Sequence, residues 1–351
     1  MKLSLKESDL KKVYTLLDNK EINISLASLL IDFFSYVDVI NEAKDKDEYL
    51  SKMYEFWNFN QDLNEISPII DYQIASCLKE INPSILLDNP YYQKVKIIAV
   101  NKGPYALKYE SYEPYQGFSY DEIVVDDNYK EISKVGYFSQ KIDYLVLQYK
   151  NDVWMSITPN EILTMAPSIK EAKGDVLIYG LGLGYFPFMI LNKKEVTSLT
   201  IIEKEKEVIS LFKENILPFF NKDKPLTIIE ADALSYKVNK HYDFVFVDLW
   251  HDPLDGLPLY IHFKKKEKEF KGVNVHYWLE PSILALYRRY LLTIIEESLL
   301  GYKDKDYTKI ANDDDKIINH LYFQTKNLVF HTYEEIHDFL SDENIKELML
   351  L

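Results

Sequence analysis

The chain has 351 residues, 47% of them hydrophobic, which is enough for a sizeable core in two domains or in one domain with a large extension. Its 41 basic and 56 acidic residues give a net charge of −15, which repels phosphate backbones and disfavours nucleic acid as a partner. The single cysteine, Cys77, excludes an intrachain disulfide and a cysteine-based metal cluster. No apolar run reaches the ~18 residues of a membrane span, and the first residues contain no signal-peptide core. We therefore expect a cytoplasmic protein that is not embedded in a membrane.

Three segments with different sequence patterns follow one another along the chain. Residues 1–92 carry apolar side chains at helical spacing and predict a helical N-terminal domain, whose helices could form the contact face of a homo-oligomer. Residues 93–156 predict a small β-rich region with a Tyr-, Gly- and Pro-rich loop at 105–120. This region is expected to end in a hairpin that turns at Lys150-Asn151-Asp152. Residues 157–351 form the third predicted domain.

The third segment alternates strands and helices. It opens with Thr158-Pro159-Asn160-Glu161, which has the spacing of a capping box and predicts a helix. Apolar strands are then predicted at 175–179, 198–203, 226–230 and 242–249. Strands linked by crossovers predict a Rossmann-like α/β fold with a doubly wound, mostly parallel sheet. Residues 252–275 are interpreted as a polar insertion, and the basic run Lys264-Lys265-Lys266 within it as a solvated face.

The first of these strands ends in a glycine-rich loop. In a doubly wound sheet, ligands bind beyond the carboxyl ends of the strands. The loop reads Gly180-Leu181-Gly182-Leu183-Gly184, and its glycines allow a tight turn and the close approach of a ligand. A dinucleotide fingerprint needs its third glycine at 185, where Tyr185 stands, so NAD and FAD are disfavoured. A glycine-rich turn without a ligand is the alternative interpretation.

Acidic residues end the second and third strands. Glu203 closes the second strand and can accept hydrogen bonds from two ribose hydroxyls, unless it is simply a surface glutamate. Asp232 follows the third strand and can accept a hydrogen bond from the exocyclic amine of an adenine, with the small Ala233 under the ring. Asp232 could also cap a helix.

Several titratable side chains follow the fourth strand. Asp248 comes directly after an apolar run, so partial burial is expected to raise its pKa. His251 and Asp252 could orient a substrate amine or take its proton, although Asp252 could instead cap the next helix. These three residues are the candidate catalytic groups.

Together, the four strand ends resemble class I S-adenosylmethionine-dependent methyltransferases over about residues 152–250. The resemblance implies S-adenosylmethionine as the cofactor and Asp248 near its methionine amine or the acceptor. It also implies that the cofactor would lie against Gly180, Leu181, Gly182 and Gly184 (methionine and ribose), Glu203 (ribose), and Asp232 with Ala233 (adenine).

A closer resemblance is to the spermidine synthase branch of this fold, in which a small β domain precedes the Rossmann-like domain. The spacing of Asp248 and Asp252-Pro253 partly matches that family's motif after the fourth strand. The glycine loop departs from the family pattern, because it has no acid to hold the donor's free amine. The leading hypothesis is methyl transfer to a small-molecule or protein acceptor. The alternatives are an aminopropyltransferase and a catalytically silent scaffold that binds the cofactor.

Overall fold

The structure is a computed structural model that describes residues 1–35, 43–45, 47–48, 51–52, 78–270, 272–301 and 313–351. Cys77 and much of the predicted N-terminal helical segment lie outside the described residues. The helices are α1 (Glu7–Ser35), α2 (Ser84–Leu87), α3 (Pro90–Lys94), α4 (Pro159–Glu171), α5 (Tyr185–Leu191), α6 (Lys206–Asn215), α7 (Pro253–Lys266), α8 (Glu280–Leu300), α9 (Asp313–Thr325), α10 (Tyr333–Phe339) and α11 (Asp342–Leu348). Within the described part of the chain, no helix combines the length and apolar character that a membrane crossing requires.

Most of the strands precede α8. They are β1 (Lys2–Leu3), β2 (Lys79–Glu80), β3 (Val100–Lys102), β4 (Tyr105–Tyr112), β5 (Gly117–Ser119), β6 (Val124–Val125), β7 (Glu131–Ile132), β8 (Val135–Tyr137), β9 (Ile142–Tyr149), β10 (Asp152–Ser156), β11 (Gly174–Tyr179), β12 (Val196–Glu203), β13 (Leu226–Glu230), β14 (Phe244–Val247), β15 (Val275–Tyr277) and β16 (Val329–Phe330).

Contacts between residues divide the chain into two compact units. The first unit consists of residues 1–31, 123–132 and 280–351, and the second of residues 32–122 and 133–279. The boundaries predicted near residues 92 and 156 both fall inside the second unit. The division into three domains stays a prediction.

Polar side chains join the three segments of the first unit. Asn23 on α1 donates to the carbonyl of Tyr129 and accepts from the amide of Glu131, both at 2.9 Å. The buried Glu131 carboxylate in turn pairs with Arg289 of α8. A buried carboxylate is stable only when it is paired, so these contacts fix residues 123–132 in this unit. Each partner is more than a hundred residues away in sequence, which is why sequence patterns do not reveal the unit.

The main sheet of the second unit has the order β13-β12-β11-β14-β15, and all its strands are parallel. This confirms the predicted Rossmann-like, doubly wound α/β fold, with the reversal of strand order at β11 and β14. The chain moves in one direction along the sheet from β11 to β13 and in the other from β14 to β15, so the right-handed rule for parallel crossovers assigns α5 and α6 to one face of the sheet and α7 to the other. Val176, Leu177, Ile178 and Tyr179 of β11 are at most 1% exposed, as expected for a strand covered on both faces.

The interpretation of residues 252–275 as a polar insertion is wrong. These residues contain α7 and lead into β15, a fifth parallel strand that the sequence analysis missed. The strand has only three residues, one of them His276, so it carries little hydrophobic signal. Gly256 in the first turns of α7 weakens the helical pattern, yet it has a packing role. A Cβ at this position would come within 2.8 Å of the Trp250 indole.

Antiparallel strands form a second sheet in this unit, in the order β10-β9-β4-β3. The predicted hairpin between β9 and β10 is confirmed, and its turn residues Lys150 and Asn151 both have positive φ, +51° and +73°. That pair of left-handed residues fits the twist of a tight hairpin. Residues 105–120, predicted as a loop, instead contain β4 and β5. The tyrosines that suggested a loop are good strand formers, and here they pack across β4 and β9.

The Lys193 side chain closes the carboxyl end of α4. Its Nζ donates to the carbonyls of Ile169 and Lys170, at 2.6 Å each, and of Ala172, at 2.8 Å. Lys193→Met keeps the apolar stem and leaves three carbonyls without this donor, so we expect the free energy of unfolding to fall by about 1–3 kcal/mol. Urea unfolding measures the change, and an unchanged midpoint would contradict this role.

Candidate cofactor and active site

A cavity of about 460 Å³ lies in the second unit, at the carboxyl ends of four neighbouring strands, β11 to β14. The volume is in the range of sites that bind small molecules and cofactors. The predicted site residues that line it are Gly180, Leu181, Gly182, Gly184, Glu203, Asp232, Ala233, Asp248 and His251. Asp252 is the one predicted site residue that the structure leaves out of this lining.

The loop after β11 requires glycine at two positions. Gly180 has φ +96°, and a Cβ there would lie 1.8 Å from the carbonyl oxygen of Asp248. Gly184 has φ +76°, and a Cβ there would lie 2.4 Å from the Phe212 ring. At Gly182 a Cβ would meet nothing within 4 Å, so the backbone at this point borders open space. A ligand in the cavity can therefore approach the main chain closely.

Glu203 ties the end of β12 to the glycine loop. Its side chain is buried, one carboxylate oxygen accepts the Leu181 amide at 3.1 Å, and the other accepts the Glu205 amide at 2.8 Å. Each carboxylate oxygen can accept a further hydrogen bond. Glu203 can thus orient the loop and still bind a pair of ligand hydroxyls.

Asp232 and Ala233 form the start of a turn after β13. One Asp232 carboxylate oxygen accepts the Leu234 amide at 3.0 Å, so Asp232 caps this turn as well as lining the cavity. Ala233 is 6% exposed, and its small side chain leaves room for a flat ring. The two interpretations of Asp232 from the sequence are compatible.

Asp248 follows β14 and is half-buried. Burial, and then the charge of Glu203, raise the pKa of Asp248 to about 7. Among the described residues, no hydrogen bond to its carboxylate is found. Asp248 can therefore change its protonation state near neutral pH, as a group that accepts a proton from a substrate must.

His251 and Asp252 have different surroundings. The Nδ1 atom of His251 lies 2.8 Å from a carboxylate oxygen of Asp255, which holds the ring at the exposed edge of the cavity. Asp252 caps α7 by accepting the amides of Leu254 and Asp255 at 2.7 and 3.1 Å. The capping interpretation therefore describes Asp252 better than a catalytic one.

Glu161 lines the cavity, although its sequence spacing predicted a capping box at the start of α4. Thr158 makes no side-chain capping bond, and the Glu161 carboxylate instead accepts hydrogen bonds from the amide and hydroxyl of Ser156. Burial, and then the charge of Asp248, raise the pKa of Glu161 well above its ordinary value. The spacing of a capping box was the only signal at this position, and it pointed away from the cavity.

Indole rings form much of the apolar wall of the cavity, contributed by Trp154, Trp250 and Trp278. The Trp250 Nε1 donates to the carbonyl of Trp278 at 3.1 Å, and the Trp278 Nε1 donates to the Thr164 hydroxyl at 2.8 Å. Because both N–H groups are satisfied by the protein, these rings offer apolar surface to a ligand.

No family model matches the chain, and no curated protein matches its sequence. Among solved structures, a spermidine synthase from Thermotoga maritima is similar at 15% identity and a TM-score of 0.30, over 42% of this chain and 58% of that one. A spermidine synthase in complex with the transition state analogue AdoDATO is similar at 16% identity and a TM-score of 0.31, over 60% of this chain and 84% of that one.

A third solved structure is protein arginine methyltransferase 10 of Arabidopsis thaliana, at 14% identity and a TM-score of 0.22, over 46% of this chain and 49% of that one. The chain thus spans three fifths or less of the Thermotoga and Arabidopsis proteins. The structural neighbours are S-adenosylmethionine-dependent methyltransferases and spermidine synthases of the class I, Rossmann-like fold, at low sequence identity.

Proposed function

We propose that the protein is an S-adenosylmethionine-dependent methyltransferase that acts on a small-molecule or protein acceptor. The observation that carries the proposal is the convergence of four strand ends on one cavity. Each of these strand ends supplies a group suited to one part of the cofactor. A glycine-rich turn alone would be weak support, whereas the combination is harder to explain without a nucleoside ligand.

The residues present fit that cofactor. The main chain at Gly182 borders open space, so the methionine portion can lie against the loop. The free acceptor positions of Glu203 suit the ribose hydroxyls, and Asp232 with Ala233 suits the amine and the face of an adenine. When bound, S-adenosylmethionine would supply an electrophilic methyl group on a positively charged sulfur.

Carboxyl groups make the cavity favourable for cations. Glu203 and Asp248 line it, and a cation beside them would favour their charged forms, while Lys204 is the one lysine in its described lining and is exposed. A low-dielectric site with acidic groups attracts a sulfonium and a protonated amine. We therefore favour an amine as the acceptor.

An amine acceptor must lose a proton before it can attack. Asp248 is suited to take it, because its pKa of about 7 lets it be ionised just above neutral pH. His251 at the cavity edge can serve as the second proton carrier, with Asp255 holding its orientation. The indole walls exclude water, and most of the rate enhancement would come from positioning the acceptor in line with the methyl group.

Aminopropyl transfer from the decarboxylated cofactor is the second candidate. The acidic cavity with aromatic walls favours it, since a polyamine is a flexible cation. The loop residue Leu183 speaks against it, because it offers no carboxylate to hold the donor's free amine. A scaffold that binds the cofactor without turnover is the third candidate.

A transfer assay separates the three candidates. The protein is incubated with S-adenosylmethionine labelled on its methyl group, or in a parallel reaction with decarboxylated S-adenosylmethionine, together with a panel of amines that includes putrescine, hydroxyl compounds and peptides, and products are identified by mass spectrometry. A methylated product supports the proposal. Spermidine formed from putrescine and decarboxylated S-adenosylmethionine would replace it with the second candidate. Cofactor binding without any product would favour the scaffold.

A further inference from the structure

The turn that would hold the adenine is attached to a buried lysine. Lys266 ends α7 and is only 7% exposed, so the interpretation of the whole basic run as a solvated face is wrong for this residue. Its Nζ donates to the carbonyls of Ala233 at 3.0 Å and Tyr236 at 2.6 Å. The same nitrogen lies 5.5 Å from the ring centroids of Tyr179 and Phe263.

Apart from Lys266, the described contacts that hold the turn lie at its two ends, and at the far end the Tyr236 ring packs edge-on against Tyr179 with 6.3 Å between centroids. Asp232, Leu234 and Ser235 are exposed, and the bonds within the turn run back to Asp232. One main-chain bond, from the Ala231 amide to the Glu203 carbonyl, joins the start of the turn to β12 at 2.9 Å. Lys266 is therefore the side chain that holds the main-chain carbonyl of Ala233, between the anchors at Ala231 and Tyr236.

We propose that Lys266 is a positioning residue that makes the cavity selective for a 6-aminopurine nucleoside, an inference that rests on the proposed function. By binding the Ala233 carbonyl, Lys266 keeps that acceptor directed away from the cavity. The Asp232 carboxylate then remains as the acceptor for an exocyclic amine. A base with a carbonyl oxygen in place of that amine would set two oxygen acceptors against each other at this point, and its N–H donor lies one ring position away.

Burial of a lysine needs a specific reason, because the ammonium group loses its hydration. Burial lowers the pKa of Lys266, and the charges of Glu269 and then Asp232 partly oppose that effect. Carbonyl acceptors and aromatic rings surround the nitrogen, so the site stabilises the charge with fixed dipoles. Burying an ammonium group costs more free energy than burying an apolar side chain of the same size. In return, its directional hydrogen bonds fix the orientation of the turn.

The test compares the affinities of Lys266→Met and the wild type for S-adenosylhomocysteine and its hypoxanthine analogue, S-inosylhomocysteine. We expect the wild type to prefer the adenine compound by at least about tenfold, the discrimination that one charge-assisted hydrogen bond allows. Lys266→Met should bind S-adenosylhomocysteine about tenfold more weakly and prefer it by less than about threefold.

Two matched controls separate positioning from general stability. Lys265→Met changes the exposed neighbour on the same helix and should alter neither affinity. Lys193→Met removes a carbonyl-binding lysine remote from the cavity, so it should lower stability and leave the adenine preference intact. A Lys266→Met protein that keeps the wild-type preference, or a wild type that binds both compounds equally, would overturn the inference. A wild type that binds neither compound would instead remove the proposed function.

Discussion

Replacing Asp248 with asparagine should lower the transfer rate by at least about 100-fold and, at the same time, make the protein more stable above pH 7. The rate falls because asparagine cannot accept the acceptor's proton. Stability rises because the folded protein holds Asp248 in surroundings that disfavour its charged form. Its pKa is about 7 in the folded protein, against an ordinary value of 3.8.

The sign of the pH dependence follows from that difference. A carboxyl whose pKa is raised on folding causes no loss of stability while it is protonated in both states, below about pH 4. The loss grows as the pH rises towards 7 and stays constant above it. The stability gained in Asp248→Asn should therefore be small at pH 4 and reach about 4 kcal/mol at pH 8, since each unit of the pKa difference corresponds to about 1.4 kcal/mol.

Urea unfolding at pH 4, 6 and 8 measures this gain, and a pH–rate profile of the wild type tests the same group. The value of kcat/KM should rise as the pH increases through 7. Asp223→Asn is the matched control, because Asp223 is exposed and does not line the cavity. If Asp248→Asn retained activity, or were less stable than the wild type at pH 8, Asp248 would not have the role assigned to it.

Gly180→Ala is expected to have the largest effect on stability, with a loss of about 3–5 kcal/mol in the free energy of unfolding. The left-handed backbone at φ +96° is unfavourable for alanine, and the added Cβ would overlap the Asp248 carbonyl oxygen 1.8 Å away. Relief of that overlap must separate the ends of β11 and β14, which also opens the cavity.

Gly182→Ala, compared with Gly180→Ala, separates the backbone penalty from the steric overlap. Its φ of +52° carries a similar backbone penalty, but the new Cβ meets nothing within 4 Å. We expect a loss of about 1–2 kcal/mol, together with weaker cofactor binding because the methyl group enters open space beside the loop. Equal destabilisation by the two substitutions, measured by urea unfolding, would contradict the contact geometry of the loop.

The parts of the site that can be predicted from the sequence are those formed by residues adjacent to one another along the chain. Each parallel strand is a short apolar run, and the residue that ends the run is the residue at the sheet edge where ligands bind. Glu203 and Asp248 could be located in this way because Thr200-Ile201-Ile202 and Phe244-Val245-Phe246-Val247 define their strands so clearly. The glycine loop is equally local, since the spacing of its glycines is visible in the sequence and disfavours a dinucleotide fingerprint.

The missed features depend on contacts between distant segments. Glu161 lines the cavity close to Asp248, which follows a strand far along the chain, and Lys266 is buried against carbonyls some 30 residues earlier. Neither contact leaves a periodic pattern in the sequence. The first unit was missed for the same reason. Its contacts join Asn23, Glu131 and Arg289, which are far apart in sequence.

Calorimetric titration with S-adenosylhomocysteine tests cofactor binding most directly. The wild type should bind with roughly micromolar affinity, and both Glu203→Ala and Asp232→Ala should weaken binding by at least about tenfold. Glu207→Ala is the matched control, because Glu207 is exposed on α6 and does not line the cavity. Binding that is lost in the two cavity variants and retained in the control is the predicted result. Absence of binding by the wild type, or equal binding by all four proteins, would contradict a cofactor site at these strand ends.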